Sequence, residues 1–452
     1  MNAAHGLPFI VALISGEIAI FTTMIKLTGK LKHMVLLVFV TLPFAIFAQY
    51  GFWFKDNALR IDYLHSGDAN KENYELVEFV KEKYWGGSKT ILTDHRNYGN
   101  YKIEVRDLAT GNLLYSRGYS TLFNEWQATA EAENISATFY ESALVPYPRI
   151  PVKIFFFSRN DQLEWERKFL LHYNPDKTST SKHKDHNYRT FKVHKSGKPS
   201  EKLDIVMIPE GYTKKEMKKF LQDCNRFKEY LLNCPPYDQV KDKINIWGVK
   251  AASEESGTDI PGKEVYKNTL LNTTFNTFGS ERYLTTADMR TVRDVASNKP
   301  YDQIVILVNH TRYGGGGFYN FYTIASSDNA RSKFLLQHEF GHGFAGLGDE
   351  YYTSDVAVED YHPVDKEPWE PNITTLVNFE SKWKDMVHDT VPIPTPAEET
   401  YKNCIGVFEG GGYMEKGVYR PYMDCTMKTP KPDNFCPVCQ QAILDMIKTY
   451  SK

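Results

Sequence analysis

The chain has 452 residues, of which 42% are hydrophobic, 24% charged and 14% aromatic, and its mean hydropathy is −0.46. This composition excludes a disordered, collagen-like or polytopic membrane protein. The 54 basic and 56 acidic side chains leave a net charge of −2, so we expect no nucleic-acid partner. At about 150 residues per domain, the length predicts two or three domains.

The first 48 residues differ from this average. The segment from Met24 to Ala48 combines a basic start, an apolar stretch at Val35–Phe47 and a small residue before Gln49, as secretory signal peptides do. We therefore predict an upstream extension and a signal peptide over residues 1–48, and a secreted, periplasmic or cell-surface location. The alternative is a signal anchor, because Met34–Phe54 is nearly unbroken apolar sequence of membrane-spanning length. Membrane contact is expected only through this segment.

The predicted location determines the expected oxidation state of the cysteines. An exported chain folds in an oxidising environment, where we expect disulfides among the four late cysteines. These are Cys404, Cys425, Cys436 and Cys439. The alternatives for the Cys436-Pro-Val-Cys439 pair are a redox motif and half of a zinc site. Cys224 and Cys234 either pair or remain buried, and their spacing does not define the connectivity.

A region of short alternating strands opens the mature chain. Tyr101–Asp107 alternates in polarity, residues 109–112 form a turn and Leu113–Ser116 returns, which is a hairpin pattern. Val152–Phe157 is a further apolar strand. We predict an all-β sandwich that, with the polar linker after it, forms an N-terminal domain of residues 49–185.

Residues 186–452 show a different pattern, in which strands alternate with helices. A capping box of Thr213 and Glu216 opens one predicted helix, and Thr286 begins another. This alternation predicts an α/β catalytic domain with a mixed, mainly parallel sheet. The expected strands are Leu203–Ile208, Ile244–Val249 and Gln303–Val308.

Four consecutive glycines, Gly314–Gly317, follow the last of these strands. We expect them to form a turn before an edge strand at Phe321–Ala325. A flexible turn beside an edge strand suits a peptide that binds as an additional strand. The alternative is a hairpin loop without function.

The motif that carries chemistry is His338-Glu339-Phe340-Gly341-His342, on a helix predicted over Phe334–Ala345. Two histidines four positions apart lie on one helical face, close enough to bind a single Zn²⁺ ion. Glu339 lies beside the first histidine, where it can reach water activated by the ion. The pattern predicts one catalytic zinc ion, with His338 and His342 as ligands and Glu339 as general base.

A catalytic zinc site needs a third protein ligand and one open position. After His342, three glycines end the helix and permit the positive-φ turn that returns the chain to the metal. In the H-E-x-x-H-x-x-G-x-x-H pattern, a glycine stands three positions before the third ligand. Gly346 stands three positions before Asp349, which is therefore the predicted third ligand. Glu350 is the alternative, and a glutamate on a downstream helix is a further one.

The stretch from His338 to Tyr351 resembles the IgA-peptidase family of metzincin-like zinc metallopeptidases. Further segments support the resemblance, namely Glu210–Tyr212, Glu255–Gly257, Arg312–Gly317 and Phe435–Cys439. The resemblance implies a usually secreted zinc endopeptidase with a metzincin-like catalytic fold and a preceding β-domain that begins near Leu59. It also implies a methionine turn beneath the metal, for which Met427 is the best match and Met423 the alternative.

We therefore predict an exported zinc endopeptidase that hydrolyses peptide bonds of extracellular substrates, immunoglobulin-like proteins or glycoproteins among them. The β-domain is expected to dock or space the substrate. One alternative is a catalytically idle surface protein that binds protein or glycan, and another is a cell-wall peptide hydrolase. The intact Glu339 favours an enzyme, because a binding protein needs no general base. Candidates for oxyanion stabilisation are Tyr351, Tyr413, Tyr419, Arg420 and Tyr422.

Overall fold

Eight strands in two sheets form the first part of the computed structural model, which describes residues 50–182, 188–352, 362–432 and 434–451. The predicted extension and signal peptide lie outside these residues. Tyr50 and Phe54, at the end of the alternative anchor segment, are buried in the folded core. Across the described ranges, no helix is both long and apolar enough to cross a membrane.

The eight strands form two four-stranded sheets. Their bounds are β1 (Phe54–Asp68), β2 (Lys71–Glu82), β3 (Tyr101–Asp107), β4 (Leu113–Tyr119), β5 (Ala137–Pro148), β6 (Val152–Arg159), β7 (Trp165–Tyr173) and β8 (Ser181–Lys182). The first sheet has the order β5-β1-β2-β8, and the second has the order β4-β3-β6-β7. The predicted hairpin is present as β3 and β4, which pair antiparallel. A short helix, α1 (Leu122–Gln127), follows β4.

Aromatic side chains pack between these two sheets. The ring of Tyr63 on β1 lies 5.1 Å from the ring of Phe156 on β6, and Tyr74 on β2 stacks 6.0 Å from Phe169 on β7. Alternate residues of β6 are buried, as expected for a strand with one face in a core. Each sheet therefore buries one face against the other.

The second part contains a six-stranded sheet. Its strands are β9 (Arg189–His194), β10 (Leu203–Glu210), β11 (Ile244–Lys250), β12 (Gln303–Val308), β13 (Gly315–Phe318) and β14 (Tyr322–Ser326). Their order is β13-β14-β12-β10-β11-β9. The four central strands are parallel, and the edge strands β13 and β9 run antiparallel to their neighbours. This is the predicted mixed, mainly parallel sheet.

The first three helices of this part begin close to the predicted positions, and the fourth, near the end of the chain, was not predicted. They are α2 (Met217–Leu232), α3 (Met289–Ala296), α4 (Ser332–Ala345) and α5 (Pro437–Tyr450), and a hairpin of β15 (Phe408–Gly411) and β16 (Met414–Arg420) lies between the last two. The predicted capping box is present, because the Glu216 carboxylate accepts a hydrogen bond from the Thr213 N–H at 2.9 Å. Helix α4 begins two residues before the predicted Phe334.

The six-stranded sheet separates two hydrophobic cores. On β10, Val206 and Ile208 face one core, whereas Ile205 and Met207 face the other. The first core also contains α3 and the buried residues of the two four-stranded sheets, and the second contains α2, α4 and α5. The two parts of the chain therefore share a core, and the described residues belong to one compact unit.

The glycine-rich segment differs from the prediction. Gly315–Phe318 is itself the edge strand β13, and the predicted edge strand, observed as β14, lies between β13 and β12. A Cβ atom on Gly315 would lie 2.9 Å from Cγ of Glu339, and one on Gly317 would lie 2.2 Å from the Glu339 carbonyl oxygen. The glycines thus allow a strand to lie directly against helix α4, a close approach that side chains would prevent.

Candidate active site

Helix α4 presents the two histidines of the motif at the floor of a cleft. The helix packs on β13 and β14, and Gly343 permits this contact because a Cβ there would lie 2.3 Å from Oγ1 of Thr323. His338 is almost fully buried and His342 is partly exposed. The Nε2 atoms of the two imidazoles lie 3.2 Å apart, so the helical spacing brings them together as predicted.

Backbone carbonyl groups orient both imidazoles. Nδ1 of His338 lies 3.0 Å from the carbonyl oxygen of Thr426, and Nδ1 of His342 lies 2.6 Å from that of Leu347. Because a carbonyl oxygen only accepts hydrogen bonds, both Nδ1 atoms must donate. In the neutral rings, the Nε2 lone pairs are then available to a metal, the usual arrangement of zinc-binding histidines.

The Asp349 carboxylate completes the group. Its Oδ1 atom lies 3.1 Å from Nε2 of His338 and 3.3 Å from Nε2 of His342. Zinc bonds of about 2.0–2.1 Å in a tetrahedron place ligand atoms about 3.3 Å apart, so these three atoms fit one face of a zinc coordination sphere. The structure thus brings the three predicted ligands together, and they are one of two groups of described residues with metal-binding geometry.

The Asp349 carboxylate and the two imidazoles shift one another's pKa values. Burial raises the pKa of Asp349, but the imidazoles of His342 and His338 more than reverse this and hold it well below its usual range. Burial lowers the pKa of His342, yet the neighbouring Asp349 carboxylate raises it to about 9 overall. Asp349 is therefore ionised at neutral pH, which is the state that binds a cation.

The turn after α4 positions Asp349. Gly346 has a positive φ of 65° and ends the helix, as predicted from the glycines. Leu347 donates its N–H to the carbonyl oxygen of Gly341 at 3.2 Å, which closes the last turn. The side-chain amide of Asn372 then holds both backbone groups of Gly348, at 2.7 and 2.9 Å.

Met427, the predicted methionine-turn residue, packs against helix α4. It is fully buried, and its Sδ atom would lie 2.7 Å from a Cβ on Gly341, on the helix between the two histidines. Its carbonyl oxygen accepts a hydrogen bond from the Glu350 N–H at 2.9 Å. Met423, the alternative, is only partly buried.

Glu350, the alternative ligand, lies in a different cluster from the histidines. Its Oε1 atom accepts a hydrogen bond from Nδ2 of Asn372 at 3.0 Å and lies 3.1 Å from Sγ of Cys439. Cys425 and Cys436 complete this second group. No disulfide bond joins any two of the six cysteines, all of which are described, so the expected disulfides are absent.

Glu339 lines a cleft of about 490 Å³ beside the histidines. The cleft is walled on one side by Gly315–Gly317 of β13. Burial raises the pKa of Glu339, and the positive charge of His338 and His342 opposes this effect. A carboxylate with a raised pKa in reach of the metal face is suited to general acid–base chemistry.

Two of the five oxyanion candidates line the cleft. These are Tyr351 and Tyr413, whereas Tyr419, Arg420 and Tyr422 do not. The hydroxyl of Tyr413 donates a hydrogen bond to Oδ2 of Asp349, and the ring of Tyr351 lies 6.4 Å from that of His338. Three further cleft residues carry no recognisable local motif and were not predicted, namely Arg282, Tyr283 and Arg331, whereas Tyr313 belongs to the segment Arg312–Gly317 that supports the resemblance.

The first part of the chain also contributes to the cleft. Its lining residues are Asn100, Ser120, Thr121, Asn124 and Glu125. The hydroxyl of Tyr283 donates a hydrogen bond to Glu125, and Nε1 of Trp369 donates to Oδ1 of Asn100 at 3.0 Å. Burial raises the pKa of Glu125 to about 7, although the bond from Tyr283 lowers it. The sequence predicted only docking or spacing for this region, since no motif marks these residues.

Two family models match the chain. One, described as IgA Peptidase M64, matches residues 191–403 and 397–447, and the other, described as Peptidase M64 N-terminus, matches residues 49–170. A comparison with curated proteins gave no match. The first matched region contains the histidines, Asp349 and the cysteine cluster, and the second contains Glu125.

Proposed function

Because the chain belongs to the M64 family of IgA peptidases, we propose that it is an exported zinc endopeptidase that acts on extracellular proteins. The observation that carries the zinc requirement is the triangle of His338 Nε2, His342 Nε2 and Asp349 Oδ1, with edges of 3.1 to 3.3 Å. Export rests on the apolar segment before Gln49.

We assign a metzincin-like fold to the catalytic part and a sandwich to the first part. The support for the first assignment is the mainly parallel sheet, the helix α4 beside an antiparallel edge strand and the buried Met427 under the histidines. The support for the second is the aromatic packing between the two four-stranded sheets, such as Tyr63 on Phe156.

The residues of the cleft have separate roles in the proposed peptide hydrolysis. His338, His342 and Asp349 would hold Zn²⁺, which supplies a Lewis acid that polarises the scissile carbonyl and lowers the pKa of water to about 7. Glu339 takes a proton from the attacking water and returns it to the leaving amine. The raised pKa of Glu339 makes its carboxylate a stronger base, which favours the transfer of the proton from the attacking water.

The substrate is proposed to lie between β13 and the first part of the chain. The outer edge of β13 is already covered at Gly315, whose carbonyl oxygen accepts a hydrogen bond from the Leu284 N–H at 3.3 Å. A peptide that adds as a strand therefore pairs nearer to Gly317. Glu125 and Asn124 face the same cleft, so the first part contacts substrate directly in this arrangement.

A cleavage panel tests this function. Immunoglobulins, mucins, other extracellular proteins and cell-wall peptides are incubated with the wild-type enzyme and the Glu339→Gln variant, with and without a chelator. We expect the wild type to cleave at least one protein, and Glu339→Gln to lower kcat by about 10²- to 10⁴-fold while it retains zinc. The exposed Glu380→Gln is the matched control with wild-type activity.

Three results would contradict the proposal. Equal activity of Glu339→Gln and wild type would show that Glu339 is not the general base. Activity that survives complete removal of zinc would show that hydrolysis does not require the metal. Failure of the zinc-loaded wild type to cleave any member of the panel would favour a binding protein, and cleavage of cell-wall peptides alone would favour a cell-wall peptide hydrolase.

A further inference from the structure

Four buried side chains form a second cluster beside the candidate active site. They are Glu350, Cys425, Cys436 and Cys439, and each offers one ligand atom within 4.8 Å of the others. Glu350 is distant in sequence from the three cysteines, and all four residues are at most 4% exposed. The mechanism above uses none of them.

We propose that these four residues bind a structural Zn²⁺ ion, in addition to the catalytic one. The Sγ atoms of Cys425 and Cys439 lie 3.9 Å apart, and Sγ of Cys439 lies 3.1 Å from Oε1 of Glu350. Tetrahedral zinc, with bonds of about 2.3 Å to sulfur and about 2.0 Å to oxygen, separates sulfur atoms by about 3.8 Å and sulfur from oxygen by about 3.5 Å. The sulfur–sulfur distance therefore matches that of a zinc–thiolate site, and the sulfur–oxygen distance is somewhat shorter than in one.

The surroundings of the Glu350 carboxylate favour a bound cation in this cluster. The side chain is fully buried, and its Oε2 atom has no hydrogen-bond partner among the described residues. A buried carboxylate oxygen without a partner is unfavourable, and a metal ion supplies the missing partner. The basic side chains of Arg420 and Lys428 both interact electrostatically with Glu350, and they offset the negative charge of three thiolates and a carboxylate.

The number and spacing of the cysteines favour zinc over a disulfide. A disulfide would use two of the three sulfur atoms and leave the third thiol buried against a carboxylate. Cys436 and Cys439 are separated by two residues, the spacing of many zinc ligand pairs. The N–H of Cys436 donates a hydrogen bond to Sγ of Cys425 at 3.2 Å, a contact that stabilises a ligating thiolate.

This ion would join the three segments that frame the catalytic histidines. Glu350 follows the third catalytic ligand, Cys425 precedes the methionine-turn residue by two positions, and Cys436 and Cys439 begin α5. The carbonyl oxygen of Thr426, which orients His338, lies next to Cys425 in the chain. Each thiol releases its proton when it binds, so the site forms with loss of three protons from the cysteines.

Zinc analysis of the full chain tests the proposal. After equilibration with zinc and removal of the excess, we expect two zinc ions per chain in the wild type. The His338→Ala/His342→Ala variant should keep one ion, and Cys436→Ser/Cys439→Ser should lose the other and unfold at a lower temperature. Cys404→Ser is the matched control and should keep both, because Cys404 lies outside the cluster. The two double variants separate this site from the catalytic one.

Cobalt substitution makes the test independent of how well the cysteine variant folds. The cobalt-loaded His338→Ala/His342→Ala variant should show thiolate-to-cobalt charge-transfer absorption in the near ultraviolet. Alkylation of the denatured, unreduced protein after zinc removal should modify all six cysteines. Absence of the charge-transfer band, a wild type with one zinc ion that the histidine variant loses, or failure to alkylate Cys425, Cys436 or Cys439 would each overturn the proposal.

Discussion

The carboxylates of Asp349 and Glu350, which are consecutive in the chain, lie in two different buried clusters. Oδ1 of Asp349 faces the imidazoles of His338 and His342, whereas Oε1 of Glu350 lies against the thiol of Cys439. Asn372 holds the loop that carries both, because its side chain accepts a hydrogen bond from the Gly348 N–H and donates to the Gly348 carbonyl oxygen and to Glu350. One short loop therefore positions side chains for both groups.

Asp349 is expected to be indispensable for the catalytic metal. The Asp349→Asn variant keeps the size of the side chain but removes the negative charge that both imidazoles face. We expect its zinc affinity, measured by chelator competition, to fall by more than about 100-fold, beyond the loss typical of residues that only support a ligand. The exposed Asp385→Asn is the control. Wild-type affinity in Asp349→Asn would exclude it as a ligand.

Tyr413 is expected to hold the Asp349 carboxylate in position through the oxygen atom that does not face the histidines. Its hydroxyl donates a hydrogen bond to Oδ2 of Asp349, and its ring packs 5.3 Å from that of Tyr351. The Tyr413→Phe variant keeps the packing and loses the hydrogen bond, so zinc affinity or kcat/KM should fall by about 10- to 100-fold. Tyr419→Phe, on the adjacent strand β16 but outside the cleft, should match the wild type. Identical values for both variants would contradict this role.

Two buried aspartates are expected to make the stability depend on pH. Oδ1 of Asp204 on β10 accepts hydrogen bonds from Nε1 of Trp247 at 2.7 Å and from Nδ2 of Asn245 at 3.1 Å, and its N–H donates to Oδ2 of Asp302 at 2.8 Å. Burial raises the pKa of Asp204 to about 7, against these two hydrogen bonds. Burial and the neighbouring Asp204 raise the pKa of Asp302 as well.

The sign of this dependence follows from proton uptake. Between about pH 4 and pH 7 the folded protein holds a proton on Asp204 that the unfolded chain has released. The contribution of Asp204 to stability is therefore full below about pH 4 and is lost as the pH rises through this window. One proton corresponds to at most about 1.4 kcal/mol per pH unit. Urea unfolding at pH 5 and pH 7 should show a smaller decrease for Asp204→Asn than for the wild type. The exposed Asp176→Asn should retain the wild-type decrease, and equal slopes for all three proteins would contradict the assignment.

The catalytic part is not expected to fold without the first part. A chain that begins at residue 188 would expose the side of helix α3 that packs on β5, where Nε of Arg293 donates a hydrogen bond to Oγ of Ser142 at 3.0 Å. Exposure of a buried apolar side chain of the shared core costs about 1.5–3 kcal/mol, so the exposure of a few of them approaches the stability of a typical domain. We expect this fragment to bind a hydrophobic dye and to lack a cooperative thermal transition. Co-expression with residues 49–182 should restore one, and a fragment that unfolds cooperatively alone would refute the shared core.

The elements that the sequence predicted well depend on local patterns. The spacing of His338 and His342 determines that both side chains leave the helix on one face, and Gly346 three residues before Asp349 identifies the turn that returns the chain to them. The buried strands β10, β11 and β12 were recognised from short apolar runs. Such signals lie within a few residues of one another, so a single sequence is sufficient to read them.

Other features depend on residues that are far apart in the chain. Glu125 and Tyr283 are separated by 158 positions and meet in the cleft, and Glu350 and Cys439 are separated by 89. No periodicity links such pairs, because their contact depends on how sheets and helices pack. The same reason explains the two errors. Gly315–Phe318 is an edge strand because helix α4 lies against it, and the late cysteines meet a carboxylate because α5 packs beside the loop after Asp349. Local spacing thus determined the histidine motif and its third partner, whereas packing alone determined the walls of the cleft and the second cluster.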